Sequence, residues 1–327
     1  MKRRQSAKPA KSPKAPAPDL SVKVGKLSLR NPILGASGCV GYGEELLEFF
    51  NPEKIGGIVA KSISLKPRLG NPTPRIVETA SGMLNSIGIQ SVGVESFLKD
   101  HVPHIAKYDT AFVASIFDER EDDYCELARI LDKEEAIDGI EVNLSCPNVE
   151  RGGITFGVEP ALAASLIEKV RKATSKPLWA KLSPNVTDVR VIARACVDAG
   201  ADALSLINTI TSMAIDWRAR RPILARNTGG LSGPAIKPVA LRMVSQVHEA
   251  LPEVPLVGIG GIASGEDVCE FLVAGASAVQ VGTANYANPR ALPVLVEELS
   301  DCLRAEKIAR AADLTGTLRL NSVPSAH

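Results

Sequence analysis

The sequence predicts one α/β domain, a single (β/α)8 TIM barrel with long strand-end insertions. Short apolar runs rich in β-branched residues occur eight times, and helix-like stretches separate most of them, which indicates a parallel sheet. Several runs are apolar without alternation, as strands covered on both faces are. Eight such units in a chain of 327 residues suit a closed barrel better than an open doubly wound sheet.

The predicted elements follow in chain order. Strands are expected at Pro32–Ala36, Gly57–Lys61, Ala111–Ile116, Gly139–Leu144, Leu178–Leu182, Ala203–Ile207, Leu256–Ile259 and Ala278–Val281. Helices are expected at Ala161–Ala173, Val186–Ala199, Ile236–Ala250 and Gly265–Ala274. Two turn-rich connections, Ser62–Thr110 and Asn208–Pro255, are longer than a helix needs, and such insertions build lids and site walls. No GxGxxG motif lies at a strand–helix junction, which disfavours a Rossmann dinucleotide site.

The first 18 residues differ in composition from the rest of the chain. They contain six basic residues, four prolines and no acid, so we predict a disordered leader over 1–18 and the barrel over 19–327. An organelle transit peptide is the alternative, although prolines disfavour the amphipathic helix that such peptides form. Residues 19–327 hold 32 basic and 37 acidic side chains, which argues against a nucleic-acid binder.

Features that the sequence lacks argue against a membrane protein, a metal-binding protein and a secreted protein. No run of about 18 apolar residues occurs, so no membrane span is expected. The six cysteines form no Cys-x-x-Cys pair, which argues against zinc or iron–sulfur ligation within this chain, and no metal site is expected. Without a secretory signal, the thiols are expected to be reduced and the protein cytoplasmic.

Polar side chains recur at the C-terminal ends of the predicted strands, where barrel enzymes place their chemistry. Lys61 and Lys181 end otherwise apolar strands, and because burying an ammonium is costly, the two cations suit an anionic ligand. Glu141 shares a strand face with Asn143, so we expect it to lie inside the barrel and pair with Lys181 in a structural role.

Two glycine turns follow the last two strands. Gly260-Gly261 and Gly282-Thr283 leave backbone N–H groups accessible, and Ser264 could cap the next helix. These loops form the usual phosphate site of such barrels, so a phosphate-bearing cofactor or substrate is predicted.

A candidate general base follows the fourth strand. No histidine ends a strand, whereas Cys146 does, and a thiol is more acidic than the hydroxyls of the runners-up Ser145 and Ser183. Cys39 follows the first strand and could line the site, while the other four cysteines fall in helical stretches. Amides suit a planar ligand with carbonyl and N–H groups, and the candidates are Asn85, Asn143, Asn148 and Asn208.

Six motifs together resemble the class 1 dihydroorotate dehydrogenases, most closely the class 1B catalytic subunit. The resemblance covers roughly residues 19–300. The motifs are Gly82-Met-Leu-Asn-Ser-Ile-Gly88, Asn143-Leu-Ser-Cys-Pro-Asn148, Lys181-Leu-Ser-Pro-Asn-Val-Thr-Asp188, Leu206-Ile-Asn-Thr209, Thr228-Gly-Gly-Leu-Ser-Gly-Pro-Ala-Ile-Lys-Pro238 and Ala278-Val-Gln-Val-Gly-Thr-Ala-Asn285.

The resemblance implies FMN in the barrel and oxidation of dihydroorotate to orotate in pyrimidine synthesis. Cys146 would take the C5 proton while the C6 hydride passes to flavin N5. The implied substrate residues are Lys61, Asn85, Ser86, Ile87, Gly88, Ile89, Asn143, Asn208 and Thr209. The implied flavin contacts are Ser37, Lys61, Ser62, Ser115, Asn143, Lys181 and Ile207, with the phosphate on Gly233, Gly260, Gly261, Gly282 and Thr283.

The resemblance also implies a partner chain. Class 1B catalytic subunits work with a subunit that carries FAD and a [2Fe–2S] cluster and passes electrons to NAD, so a heterotetramer around a homodimer core is expected. The chain departs from the family pattern at Ser115, where Asn is usual, and at Ser62, where Gly is common. The segment Trp217–Arg221 and the basic leader are also unusual.

Three other functions remain open on the sequence. One is a dihydropyrimidine dehydrogenase-like flavin barrel acting on dihydrouracil or dihydrothymine, which would need no cation for a carboxylate. Another is a flavin barrel acting on tRNA uridines, which the acidic balance of residues 19–327 opposes. The third is a non-enzymatic scaffold, which would leave the lysines, amides and thiol at one rim unexplained.

Overall fold

Eight parallel strands close into a barrel in the computed structural model, which describes residues 17–144 and 153–321. The strands of this part of the chain are β1 (Val22–Val24), β2 (Leu27–Leu29), β3 (Ile33–Gly35), β4 (Gly57–Val59), β5 (Ile76–Thr79), β6 (Gly82–Asn85), β7 (Ala111–Ile116), β8 (Gly139–Asn143), β9 (Leu178–Lys181), β10 (Ala203–Leu206), β11 (Ile210–Ser212), β12 (Ile215–Asp216), β13 (Arg221–Pro222), β14 (Gly229–Ser232), β15 (Leu256–Ile259) and β16 (Ala278–Val281). The barrel runs β3-β4-β7-β8-β9-β10-β15-β16 and returns to β3.

Helices connect most of the barrel strands. They are α1 (Val94–Ser96), α2 (Val102–Ile105), α3 (Glu121–Asp132), α4 (Gly153–Val158), α5 (Pro160–Ala173), α6 (Val189–Asp198), α7 (Lys237–Ala250), α8 (Gly265–Val273), α9 (Ala284–Ala287) and α10 (Ala291–Ala305). A π-helical segment, Phe97–His101, joins α1 to α2, and 3₁₀ turns lie at Glu44–Leu46, Pro52–Lys54, Pro234–Ile236 and Ala311–Leu314.

The predicted barrel is confirmed. Each of the eight barrel strands lies within two residues of its predicted bounds, and α5, α6, α7 and α8 occupy the four predicted helical stretches. Strands β3, β4, β8, β9, β10, β15 and β16 are buried at every position, because the barrel interior covers one face and the helices cover the other. Continuous apolar sequence is therefore what this fold requires of them.

The two long connections pair with each other. Strands β5 and β6 come from the first and β11 and β14 from the second, and they form an antiparallel sheet in the order β11-β14-β6-β5. We call these four strands the insertion sheet. It begins beyond the C-terminal ends of β4 and β10, so it lies over the mouth of the barrel.

A hairpin of β1 and β2 lies at the opposite end. Gly25 forms its turn with φ of 60° and sits beside Asp202, the residue before β10. None of the helices within residues 17–144 and 153–321 has the length and apolar character needed to cross a membrane.

Candidate active site

A cavity of about 330 Å³ lies between the barrel mouth and the insertion sheet. The barrel side contributes Ser37, Gly38, Cys39, Lys61, Ser62, Asn143, Lys181, Asn208, Thr209 and Tyr286. The two insertions contribute Arg75, Ile76, Met83, Asn85, Ile87, Gly88, Ile89, Gln90 and Ser232. Many of the polar side chains that were predicted to lie at strand ends therefore line this one cavity.

Below this cavity the barrel interior holds a closed polar network around Glu141. The Glu141 carboxylate is fully buried and accepts from Lys181 Nζ (3.4 Å), Ser205 Oγ (2.8 Å) and Gln280 Nε2 (2.6 Å). The predicted Glu141–Lys181 pair is confirmed. Because both oxygens are engaged by donors inside the barrel, the carboxylate holds Lys181 in place and is not presented to a ligand.

A row of amide and hydroxyl groups crosses the floor of the cavity. Asn208 Nδ2 donates to Asn143 Oδ1 (3.3 Å), and Asn143 Nδ2 donates to Ser62 Oγ (3.3 Å). Ser62 Oγ lies 2.9 Å from Ser115 Oγ. Ser115 is fully buried behind Ser62 and does not line the cavity, so its hydroxyl supports Ser62.

Lys61 presents a half-buried ammonium to the cavity. Its side chain makes no hydrogen bond or ion pair with the residues that the structure describes. Burial lowers the pKa of Lys61, and the neighbouring Arg75 lowers it further, while Glu45 acts in the opposite sense. Two cations that share one cavity favour an anionic ligand, because its negative charge would relieve their repulsion.

Arg75, the residue before β5, also lines the cavity. Its Nη2 donates to Gln90 Oε1 at 2.7 Å, and its Nη1 donates to the Asn71 carbonyl oxygen at 3.4 Å. The hydrogen bond to Gln90 fixes the guanidinium plane beside Lys61. Arg75 is therefore a second cation of the site, held by the insertion and not by the barrel.

The substrate residues implied by the resemblance divide into two groups. Asn85, Ile87, Gly88, Ile89, Asn208 and Thr209 line the cavity with Lys61 and Asn143. Ser86 does not, since its side chain is buried and both its oxygens accept from Asn71 Nδ2. Gly88 and Ile89 both have positive φ, 73° and 52°, which turns this part of the wall into the cavity.

A second cavity of about 520 Å³ adjoins the first, and Met83 and Tyr286 line both. Gly261, Gly282 and Thr283 of the two predicted glycine turns line this second cavity, together with Gly233, which the resemblance implied. A Cβ added at Gly261 would stand 2.8 Å from the Gly233 carbonyl oxygen, and one at Gly282 would stand 3.0 Å from Cys39 Sγ. A side chain at either position would collide with the neighbouring atoms, so glycine leaves the backbone of this cavity wall uncovered.

Three residues that the sequence analysis proposed for the site line neither cavity. Ile207 is buried, and its N–H donates to Ile259 O (3.0 Å). Gly260 packs under α7, where an added Cβ would stand 2.8 Å from Ala240 Cβ. The hydroxyl of Ser183 lies close to Asn185, whose backbone N–H donates to it at 3.2 Å. These residues shape the loops that carry their neighbours.

The predicted base, Cys146, and its neighbours Ser145 and Asn148 lie outside the described residues. The chain leading to them is anchored, because the Tyr124 hydroxyl donates to the Asn143 carbonyl oxygen at 2.9 Å. Asn143 also lines the cavity, so this segment departs from the edge of the site.

Sequence reasoning missed several lining residues. Arg75, Met83 and Gln90 come from the turn-rich insertion and reach the cavity only through strand pairing that periodicity does not reveal. Cys39, which the sequence allowed in the site, does line it, beside Tyr286. Burial raises the pKa of Cys39, so its thiol is kept neutral.

Known proteins share both the sequence and the fold. A family model described as dihydroorotate dehydrogenase matches residues 19–303. The chain is 56% identical to the catalytic subunit of dihydroorotate dehydrogenase B (NAD(+)) of Pelobacter propionicus, over 92% of this chain and 99% of that one. The corresponding protein of Geotalea daltonii is 54% identical, over 93% and 99%. A crystal structure of DHODH from Eimeria tenella, in complex with ferulenol, superposes with a TM-score of 0.77 at 26% identity, covering 91% of this chain and 88% of that one.

Proposed function

This chain belongs to the dihydroorotate dehydrogenase family of oxidoreductases, and we propose that it is the FMN-dependent catalytic subunit of a class 1B enzyme. It oxidises (S)-dihydroorotate to orotate in de novo pyrimidine synthesis. The observation that carries this proposal is the cavity in which two cations and a row of amides meet, next to a second cavity walled by bare glycine backbone.

The described residues fit FMN. The glycine-walled cavity admits a phosphate to backbone N–H groups, at Gly233, Gly261, Gly282 and Thr283, and Gly260 supports that loop. The adjoining cavity offers donors and acceptors for a flavin ring, from Ser37, Lys61, Ser62, Asn143 and Lys181, with Ser115 and Ile207 behind them. When bound, FMN supplies the acceptor for the hydride that leaves C6 of the substrate.

The substrate is an anion with a planar amide edge, and each part has partners in the cavity. Lys61 and Arg75 face its carboxylate, and an ionised carboxylate between two cations gains charge-assisted hydrogen bonds. Asn85, Asn143 and Asn208 offer both donors and acceptors to the ring carbonyls and N–H groups. Ile87, Gly88, Ile89 and Thr209 complete the wall around the ring, and Ser86 supports it from behind through Asn71. Dihydrouracil has no carboxylate, so this pocket favours dihydroorotate.

Cys146 removes the C5 proton as a general base. The proposal rests on its place in the chain, three residues after Asn143, which ends β8 and lines the cavity. Lys181 lines the cavity, is held in place by Glu141, and would supply a fixed positive charge to a flavin ring bound there.

A partner chain completes the electron path. The relatives are named catalytic subunits of an NAD(+)-linked enzyme, which supports a second subunit carrying FAD and a [2Fe–2S] cluster that passes electrons to NAD. We place the chain in the homodimer core of a cytoplasmic heterotetramer. Its barrel domain extends over 19–327 behind a leader, 1–18, most of which lies outside the described residues.

An anaerobic stopped-flow experiment tests the reaction. The purified FMN-loaded chain is mixed with dihydroorotate, and loss of the oxidised flavin absorbance is followed beside Cys146→Ser. We expect fast bleaching by the unaltered chain and bleaching slowed by at least about 100-fold in the variant, because a general base contributes roughly that much. Bleaching by dihydrouracil but not by dihydroorotate would move the chain to dihydropyrimidine breakdown. A chain that binds no FMN would restore the scaffold hypothesis.

The partner is tested separately with the same preparation. The chain alone is given dihydroorotate and NAD, and NADH formation is measured with and without the FAD and iron–sulfur subunit. We expect NADH only with the partner. Full NAD reduction by the isolated chain would contradict the proposed division of labour.

A further inference from the structure

Helices α8 and α10 approach each other closely behind the second cavity. A Cβ added at Gly265 would stand 2.6 Å from the backbone carbonyl carbon of Glu298, so glycine is needed where the helices meet. The Gly265 N–H also donates to the Glu298 carboxylate at 2.8 Å. The contact point between the two helices is therefore fixed by backbone geometry.

One turn beyond this contact, each helix carries a cysteine. Cys269 follows Gly265 by four residues, and Cys302 follows Glu298 by four residues. Residues four apart lie on the same face of a helix, and the helices that follow neighbouring parallel strands run in the same direction. The two thiols therefore face each other, close enough for Cys302 to raise the pKa of Cys269.

Both thiols are free and lie in partly exposed residues. Cys269 and Cys302 are partly exposed, whereas Cys196 on α6 is fully buried, so the pair is more accessible to a small reagent than Cys196 is. The structure records no disulfide among the described cysteines. A vicinal pair of accessible thiols is the arrangement that a small disulfide oxidises most readily, because the second thiol resolves the intermediate.

We propose that Cys269 and Cys302 form an intramolecular disulfide by exchange with a small organic disulfide such as glutathione disulfide. Cys302 Sγ attacks one sulfur of the reagent, which breaks the reagent's S–S bond and releases one small thiol. Cys269 Sγ then attacks Cys302 Sγ in the mixed disulfide, and the second small thiol leaves. Two protein thiols are oxidised, one small disulfide is reduced to two thiols, and the two protein protons pass to those thiols through solvent.

Cys302 takes the first step because Cys269 is the poorer nucleophile. Burial and the adjacent Cys302 raise the pKa of Cys269 to about 12, so little of it is thiolate at neutral pH. Once the mixed disulfide has formed, the high local concentration of Cys269 compensates for its small thiolate fraction.

The disulfide would join two walls of the second cavity. Gly261, Ile262 and Ala263 lead into α8, while Val294 and Glu298 belong to α10, and all five line this cavity. A covalent bond one turn from Glu298 restricts the separation of these walls. We therefore expect oxidation to slow the release of FMN several-fold. This expectation about FMN rests on the proposed function, whereas the disulfide itself does not.

The test treats the FMN-loaded full chain with glutathione disulfide and reads each cysteine by peptide mass mapping. We expect a cross-linked Cys269–Cys302 peptide. Cys269→Ser should accumulate a mixed disulfide on Cys302, Cys302→Ser should modify Cys269 at least several-fold more slowly, and Cys196→Ser should cross-link like the unaltered chain. Absence of the cross-linked peptide would overturn the proposal, and equal rates in the two single variants would overturn the order of the steps.

FMN release is then measured by fluorescence on reduced and oxidised chains at equal loading. Slower release of FMN after oxidation would support the proposal that the disulfide restricts the separation of α8 and α10. Unchanged release from a fully cross-linked chain would contradict that link. The peptide map needs neither FMN nor turnover, so its failure is distinguishable from failure of the proposed function.

Discussion

The barrel mouth and the insertion sheet build the same cavity from opposite sides, and they hold their side chains in different ways. Glu141 and Lys181 have side-chain exposures of 0% and 7% and lie among continuous core. On the insertion side, Ile76 is 50% exposed, and Gln90, which orients Arg75, is exposed too. The barrel side is therefore coupled to folding, whereas the insertion side can change the site with little cost to the fold.

Breaking the barrel-side network should have the largest effect. Glu141→Ala leaves Lys181 buried beside no carboxylate, and we expect a loss of about 3–5 kcal/mol in the free energy of unfolding, measured in urea. Glu119→Ala is the matched control, because it breaks the partly exposed ion pair with Arg68 and should cost at most about 1 kcal/mol. If Glu141→Ala lowered the free energy of unfolding by no more than Glu119→Ala does, the barrel network would not be coupled to folding.

The same difference decides what the sequence could predict. The Glu141–Lys181 pair was predictable because adjacent parallel strands end together and alternate residues share a face. The insertion sheet was not, because β6 pairs with β14 across nearly half the chain, with Asn85 opposite Gly230. Short strands of mixed burial carry no period that reveals such a partner. Arg75 and Gln90 were missed for this reason.

A crowded glycine on the insertion side should affect both binding and folding. A Cβ at Gly230 would stand 1.9 Å from Thr209 Oγ1, so Gly230→Ala must displace Thr209 or the strand. Such overpacking costs about 2 kcal/mol of folding stability. Because Thr209 lines the cavity, we also expect dihydroorotate to bind about tenfold more weakly in a flavin-perturbation titration.

The control for this variant is Thr211→Ala. Thr211 is the exposed cross-strand partner of Gly230 and makes no close approach to the cavity wall. We expect unchanged affinity there. If Gly230→Ala lowers the urea midpoint as much as Glu141→Ala does, then the insertion sheet is as strongly coupled to folding as the barrel.

Arg75→Gln should weaken dihydroorotate binding about tenfold and shift its pH dependence. One tenfold step corresponds to about 1.4 kcal/mol, the order expected for a lost charge-assisted hydrogen bond. Burial, together with Arg75, lowers the pKa of Lys61, so affinity for the carboxylate falls as the pH rises through that lowered value. Removing Arg75 raises the Lys61 pKa towards its ordinary value, and the fall should move to higher pH.

The matched control is Arg68→Gln, in the same insertion. Arg68 pairs with Glu119 and does not line the cavity, so both the affinity and its pH profile should stay unchanged. A profile that does not move in Arg75→Gln would mean that the two cations act independently.

The smallest effect is expected at Ser264, on the barrel side. Ser264 Oγ accepts from the Asp267 N–H (3.2 Å) and Asp267 accepts from the Ser264 N–H (2.9 Å), a reciprocal cap that begins α8. Ser264→Ala removes half of this cap and should cost about 1 kcal/mol, which lowers the melting temperature by roughly 2 °C in a chain of this size. Ser264→Gly should cost only a few tenths of a kcal/mol. Because the cap lies outside the first cavity, dihydroorotate affinity of the FMN-loaded chain should be unchanged in both. Ser264→Ala and Gly230→Ala therefore differ in their effect on binding: the first lowers stability and leaves binding unchanged, whereas the second also weakens binding. An affinity loss in Ser264→Ala would remove the distinction between the two regions.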